Sequence, residues 1–420
     1  MEEHLDGAHR RRRSVTTPVT SPGRRGFRAP GTTFMVGGGL IGAVGAYLFQ
    51  VYGTRNLDPE AFAPVSVLWT TFFILATVLL VPVEQYVTRE VASGRKALPG
   101  DLKPTLVIAA IGGLVGGIFV LVTLDDLFFG EPVYIVQIVL LMVGYSLLFV
   151  GKGVLAGARR FAGVGWILIV ETVARLVAGV VLLELFLDAT SLGWAMVIGG
   201  FAVLALGWWR HDTGRPQTSS APARNFLTGY VGGTASSQLL LGGAPIAVAA
   251  LGGSPALVSI VFVTFTLYRA PLTLIFALQG RVLPYLVGLS REANHLQLGK
   301  IARRVVMAGT GLALAGGLVG WLVGPAVVGL LYGEQYSPTA VVAMFAAIGV
   351  MAAAAAQIVS QVLVAEGRTS RLSWAWLGGL IVGLVVLLLV GGEPDTRVAV
   401  AFAVGEAGAL GLMAVLAMRR

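Results

Sequence analysis

Hydrophobic residues along this chain come in blocks of about twenty or more, separated by short stretches rich in charge, glycine and proline. The blocks run approximately over 33–53, 61–83, 104–124, 132–156, 162–187, 190–209, 225–251, 256–280, 301–325, 338–361, 372–391 and 397–418. A helix rises ~1.5 Å per residue and a bilayer core is ~30 Å thick, so each block is long enough to span. Backbone amides in lipid must find partners within their own segment, which selects helices. The pattern therefore predicts an all-α, polytopic membrane protein with twelve transmembrane helices. No connection exceeds about 20 residues, which leaves no room for a large external domain.

Few charges interrupt the blocks, and these are where chemistry is expected. Arg269 stands 14 residues after Pro255 and 12 before Arg281. That puts it about 20 Å into its block, near mid-membrane. An arginine there costs between about 2.5 and 17 kcal/mol, depending on the reference. It should face a wet, protein-lined cavity and meet something anionic. Two readings are open: a buried pair that locks two helices, or a direct substrate or coupling role. Glu171 and Arg175 lie four apart with the acid first, the favourable order for an intrahelical pair. They either neutralise each other for insertion or form a gate or coupling site. Glu406 has no cation on its own block. It is expected to be protonated, paired with Arg269 or Arg175, or a cation site. Pro82, Pro245, Pro271 and Pro284 fall in or near spans and should kink helices.

Composition agrees with the pattern: 56% of the 420 residues are hydrophobic and 12% charged. With no cysteine there is no disulfide, thiol chemistry or Cys-based metal site. The four histidines, His4, His9, His211 and His295, fall in predicted loops or the N-terminal tail, which excludes an intramembrane histidine relay. The net charge of +9 is a topology signal rather than a nucleic-acid signal. Of 30 basic residues, 26 fall on one side of the predicted membrane, and only Arg55 and Arg397 on the other. The second side carries acids instead, among them Asp58, Glu60 and Glu334. This split places both termini in the cytoplasm.

The chain also repeats weakly. Ala63-Pro64-Val65-Ser66 and Thr71-Phe72 match Ala256-Leu257-Val258-Ser259 and Thr264-Phe265 at an offset of 193. Six helices per half is an even number, so the halves insert the same way up. The expected domains are a disordered basic cytoplasmic tail (1–32), an N-terminal six-helix lobe (33–209), a cytoplasmic linker (210–224) and a C-terminal six-helix lobe (225–420).

Three stretches resemble a known family. Gly324-Pro325 through Tyr332-Gly333-Glu334-Gln335-Tyr336-Ser337-Pro338 resembles a helix join in polysaccharide-type exporters of the multidrug/oligosaccharidyl-lipid/polysaccharide (MOP) superfamily. Leu155-Ala156-Gly157-Ala158-Arg159-Arg160-Phe161 resembles that family's short cytoplasmic turn, and Leu57-Asp58-Pro59-Glu60-Ala61-Phe62 its first outer loop. The resemblance implies two six-helix lobes around a central cavity, alternating access, and flipping of an undecaprenyl-pyrophosphate-linked saccharide across the bacterial cytoplasmic membrane. Arg269, with Arg175, would meet the pyrophosphate, and Gln50, Gln238, Gln357 and Gln361 either line a sugar path or hydrogen-bond between helices, as does Gln137. Glu171 and Glu406 would serve coupling or gating. No catalytic residue, metal site or cofactor is implied beyond a coupling Na+ or H+. The expected partners are the lipid-linked saccharide, membrane lipids and polysaccharide-assembly glycosyltransferases, with no nucleic acid. The first block departs from a relative that carries arginines there, having only Gln50 and the outer Arg55. The alternatives are an ion-coupled drug/cation antiporter of the same superfamily, which Glu171 and Glu406 would suit, and, more remotely, a membrane glycosyltransferase or ligase.

Overall fold

The structure, a computed structural model, describes residues 31–92, 102–207, 234–292 and 295–418. The predicted tail up to residue 30 and the predicted linker 210–224 lie outside them. The first half holds α1 (Thr32–Asn56), α2 (Pro59–Ala92), α3 (Leu102–Val122), α4 (Val133–Gly157), α5 (Phe161–Phe186) and α6 (Ala189–Phe201, extended by a 3-10 turn over Ala202–Leu206). The second half holds α7 (234–242, then Ala244–Ala250), α8 (Pro255–Tyr268), α9 (Ala270–Arg291), α10 (His295–Tyr332), α11 (Ala340–Ala365), α12 (Thr369–Leu389) and α13 (Pro394–Met418). Among the described residues the regular elements are all helical, and eleven helices are long and apolar enough to cross a membrane. They coincide with all the predicted blocks except the seventh. That block appears as α7, and its predicted beginning lies outside the described residues.

Helix starts are written locally. Asp58 accepts from the Ala61 amide at 2.8 Å and Pro59 opens α2. Asp188, Ser254 and Thr339 cap α6, α8 and α11 in the same way, each satisfying an amide the first turn leaves free. Glycines let helices touch. A Cβ on Gly38 of α1 would come within 2.7 Å of the Gly165 carbonyl on α5.

Three boundaries differ from the pattern. Pro82 removes the amide that the Val78 carbonyl would accept, and α2 widens into a π turn at Ala76–Leu80 and continues to Ala92. The ninth block is the core of a 38-residue helix, α10, whose first turns carry Lys300, Arg303 and Arg304 beyond any bilayer-length span. His295, expected in a loop, is the first residue of α10. The eighth block is not one helix but two, α8 and α9.

Within the N-terminal half α1 packs on α5, α5 on α6, and α4 on α2, α3 and α6. Within the C-terminal half α10 packs on α11, α11 on α13, α12 on α13, and α7 on α8. The halves meet mainly through α2 against α8. Ser66 and Ser259, the two serines related by the 193-residue offset, face each other there at 3.5 Å. The two copies of the repeated sequence therefore meet at this contact. Phe62 and Phe262 pack beside it, with ring centroids 6.2 Å apart.

On the face assigned to the outside by charge, the halves are latched. The Arg55 guanidinium donates to the Leu330 and Leu331 carbonyls at the end of α10. The Tyr336 hydroxyl donates to the Leu57 carbonyl at 3.0 Å, and its ring meets Phe62 edge-on. Burial, followed by the nearby Asp58, pushes the Tyr336 phenol upward in pKa, which keeps its proton in place as a donor.

Candidate functional site

Two prolines shape the C-terminal site. Pro245 has no amide, so the Leu241 carbonyl one turn earlier loses its helical donor, and α7 breaks at Gly243. Pro271 does the same to the Leu267 carbonyl, and α8 gives way to α9 at Arg269, which holds φ −76° and ψ −8°. Broken helices within a membrane are tolerated only where other groups satisfy the freed backbone. At the α7 break that group is a side chain. Arg269 Nη2 donates to the Leu241 carbonyl, joining one break to the other. The Tyr47 hydroxyl on α1 donates to the Thr266 carbonyl at 3.0 Å.

Arg269 is half-buried, its Nε, like that of Arg175, has no partner, and no acid among the described residues lies in ion-pair contact with it. Glu406 on α13 is fully buried, and neither of its carboxyl oxygens has a hydrogen-bond partner. Phe265 and Phe402, one turn before Arg269 and Glu406 respectively, pack with ring centroids 5.0 Å apart. The two charges are therefore set at matching depth on α8 and α13, one turn beyond this contact. No ion pair joins them among the described residues. The expected pairing of Glu406 with Arg269 is electrostatic proximity here, not a salt bridge.

The N-terminal lobe treats its charges differently. Arg175 Nη1 contacts Glu171 Oε1 at 2.6 Å, the i,i+4 pair the spacing predicts. The Tyr145 hydroxyl on α4 donates to the same oxygen at 2.6 Å, and Thr172 donates to Oε2 at 3.0 Å. The guanidinium lies over Trp69 and Phe49, 5.2 and 5.7 Å from their ring centroids. Glu171, Arg175 and Tyr145 are all buried. Arg175 and Arg269 are not brought together. Helix α1 stands between them, sending Phe49 toward Arg175 and Tyr47 toward the Arg269 joint.

The glutamines divide as well. Gln50 and Gln238 are buried with unpartnered Oε1 atoms. Gln361 donates to Ser360 at 3.3 Å, while Gln357 is half-buried and engaged. Gln137 donates to the Thr190 carbonyl, an interhelical tie. Sequence reasoning missed Tyr145, Trp69, Phe49 and Tyr47, which reach the charges from other helices. It also missed the latch, although Arg55 stood out as one of two cations on an acidic face. Among the described residues no group of three or more acids and histidines could hold a metal ion.

No family model matches the chain. It is similar to Uncharacterized protein Rv3630 of Mycobacterium tuberculosis (strain ATCC 25618 / H37Rv), 26% identical over 433 residues and 96% of both chains. Uncharacterized protein Mb3654 of Mycobacterium bovis is equally similar. Among solved structures, the inward-facing conformation of a multidrug resistance MATE family transporter of the MOP superfamily superposes with a TM-score of 0.66. It covers 92% of this chain and 97% of that one at 13% identity. A MOP superfamily transporter from Pyrococcus furiosus, described as having a binding pocket of reversed polarity, gives 0.62 over 92% and 93% at 14% identity. An outward-facing MATE conformation gives 0.54 over 93% and 96% at 16% identity. The chain has the fold of the MOP superfamily transporters, two lobes of membrane helices.

Proposed function

We propose that this protein is an alternating-access membrane transporter that moves a saccharide linked to a lipid by pyrophosphate, with Arg269 as the cation that meets the phosphate. The observation that carries this reading is the open state of Arg269. Its charge sits where α8 gives way to α9, with a backbone carbonyl as partner and no neutralising acid in contact among the described residues. A guanidinium so placed offers its remaining donors to a phosphate, in a medium where charge-assisted bonds are strong. The lipid tail stays in the bilayer, so only the head crosses between the lobes. The better superposition on an inward-facing relative fits a cycle caught with the Arg55–Tyr336 latch shut and the basic, cytoplasmic side accessible.

In this reading Arg175 is structural: its charge is already met, within an aromatic enclosure. Glu406 supplies coupling. A buried carboxylate with two free oxygens calls for a proton, a Na+ or the Arg269 guanidinium. Arg269 released by Glu406 and Arg269 held by substrate are then alternatives, which links ion and substrate movement. The test is reconstitution in liposomes with a fluorescent polyprenyl-pyrophosphate saccharide. Wild type should flip it and Arg269→Ala should lose at least tenfold in rate. An equal rate in Arg269→Ala removes the arginine from the mechanism.

Glu406 also favours a second reading, an ion-coupled drug/cation antiporter, in which the carboxylate takes the cationic substrate. Efflux of a lipophilic cation dye that is lost in Glu406→Gln and kept in Arg269→Ala would select it.

A further inference from the structure

A second charged site lies apart from the Arg269 joint, at the end of the C-terminal lobe where the α11 and α13 spans finish. A cavity of about 590 Å³ opens there between the first turns of α10, the α11–α12 turn and the end of α13. Its walls carry Lys300, Arg303, Arg368 and Arg371 against a single carboxylate, Glu366. The geometry is built rather than incidental. Gly367 holds φ +72°, a left-handed conformation that glycine adopts without strain, and this folds Arg368 back beside Glu366. Glu366 is then held by Arg368 at 3.0 Å and by His295 from α10 at 3.3 Å. The one acid is occupied, and Lys300, Arg303 and Arg371 have no ion-pair partner among the described residues.

Cations gathered around a cavity repel one another, and an anion with several acceptor oxygens relieves that repulsion. The place identifies the kind of anion. Two membrane spans, α11 and α13, end at this cavity, so its cations stand where lipid headgroups lie. Charged walls at that level suit a phosphate head carried on acyl or prenyl chains. We infer that this cavity is a binding site for a net-anionic phosphate headgroup of a lipid, with Lys300, Arg303 and Arg371 as its direct contacts and Glu366 positioning Arg368 and His295. It stands whether or not the chain flips a saccharide. Anchoring α10 to α12 and α13 through a bound headgroup would also tie the lobe's surface to lipid composition.

The test is native mass spectrometry of the full-length protein in detergent, with phosphatidylglycerol, phosphatidylcholine, a polyprenyl pyrophosphate and inorganic pyrophosphate offered separately. Wild type should retain one phosphatidylglycerol or polyprenyl pyrophosphate and no phosphatidylcholine. Competition between the first two names the source, a bilayer lipid or a transported one, and either supports the site. The triple variant Lys300→Gln/Arg303→Gln/Arg371→Gln should weaken retention about a hundredfold, near fivefold per cation. Gly299→Trp keeps every charge but fills the space. No atom lies within 4 Å of a Cβ built at Gly299, so the ring enters the cavity. It should also abolish retention. Retention equal to wild type in both variants overturns the site, and inorganic pyrophosphate binding as tightly as the lipids overturns its assignment to a lipid.

Discussion

Each lobe carries an arginine within its membrane helices, and the two are treated in opposite ways. In the N-terminal lobe Arg175 has an acid on the next turn, a tyrosine hydroxyl bridging the pair and two aromatic faces around it. In the C-terminal lobe Arg269 has a carbonyl left over from a proline break, and its nearest acid stands off with both oxygens free. A pair whose charges already meet gains little by letting go, whereas a cation and a carboxylate not in contact can each accept something else. Cost alone does not mark function in a membrane. What marks it is a cost left open.

The largest effect expected is on the closed cluster. Glu171→Ala strands a buried guanidinium and should destabilise the protein by about 3–5 kcal/mol, seen as a fall in melting temperature. The double variant Glu171→Leu/Arg175→Met should recover most of that loss, because two apolar side chains of similar volume replace a desolvated pair. If the double variant remains as unstable as the single one, the cluster does more than neutralise itself, and the contrast between the lobes fails.

Arg269→Ala should show the reverse. Its transport falls at least tenfold, while the freed Leu241 carbonyl costs only about 1–3 kcal/mol. Arg269→Lys should restore part of the rate, since an ammonium carries the charge without the fork that reaches carbonyl and phosphate together. Arg55→Ala removes the bonds to Leu330 and Leu331 and should shift the lobes toward opening on that face by about 1 kcal/mol, near fivefold in population. The chain has no cysteine, so spin labels at Asn56 and Glu334 can report the change as a longer distance population. The smallest expected change in stability is in Glu406→Gln. The amide is isosteric and uncharged, so melting should stay within about 1 kcal/mol of wild type. Transport should lose its dependence on the driving ion gradient.

Much of this was legible in the sequence, for physical reasons. Block length and polarity give the spans, because lipid admits few other solutions. The i,i+4 spacing gives the Glu171–Arg175 pair, because one helix fixes that geometry. What was not legible depends on a second helix. Tyr145 reaches Glu171 from α4, and nothing in the local sequence near either says so. Pro271 was visible as a helix breaker, yet its consequence for Arg269 needs Pro245 as well, which orphans the carbonyl that the guanidinium takes. The latch depends on α10 running on to Tyr332, past the predicted end of its block, which brings Leu330 and Leu331 within reach of Arg55.

The central claim is that Arg269 works and Arg175 only holds. It is tested most directly by comparing flipping of one pyrophosphate-linked saccharide by Arg269→Ala and by Glu171→Leu/Arg175→Met in the same liposomes. The account predicts at least tenfold loss in the first and a rate within about twofold of wild type in the second. A first variant that flips normally beside a second that is inactive yet folded would contradict it.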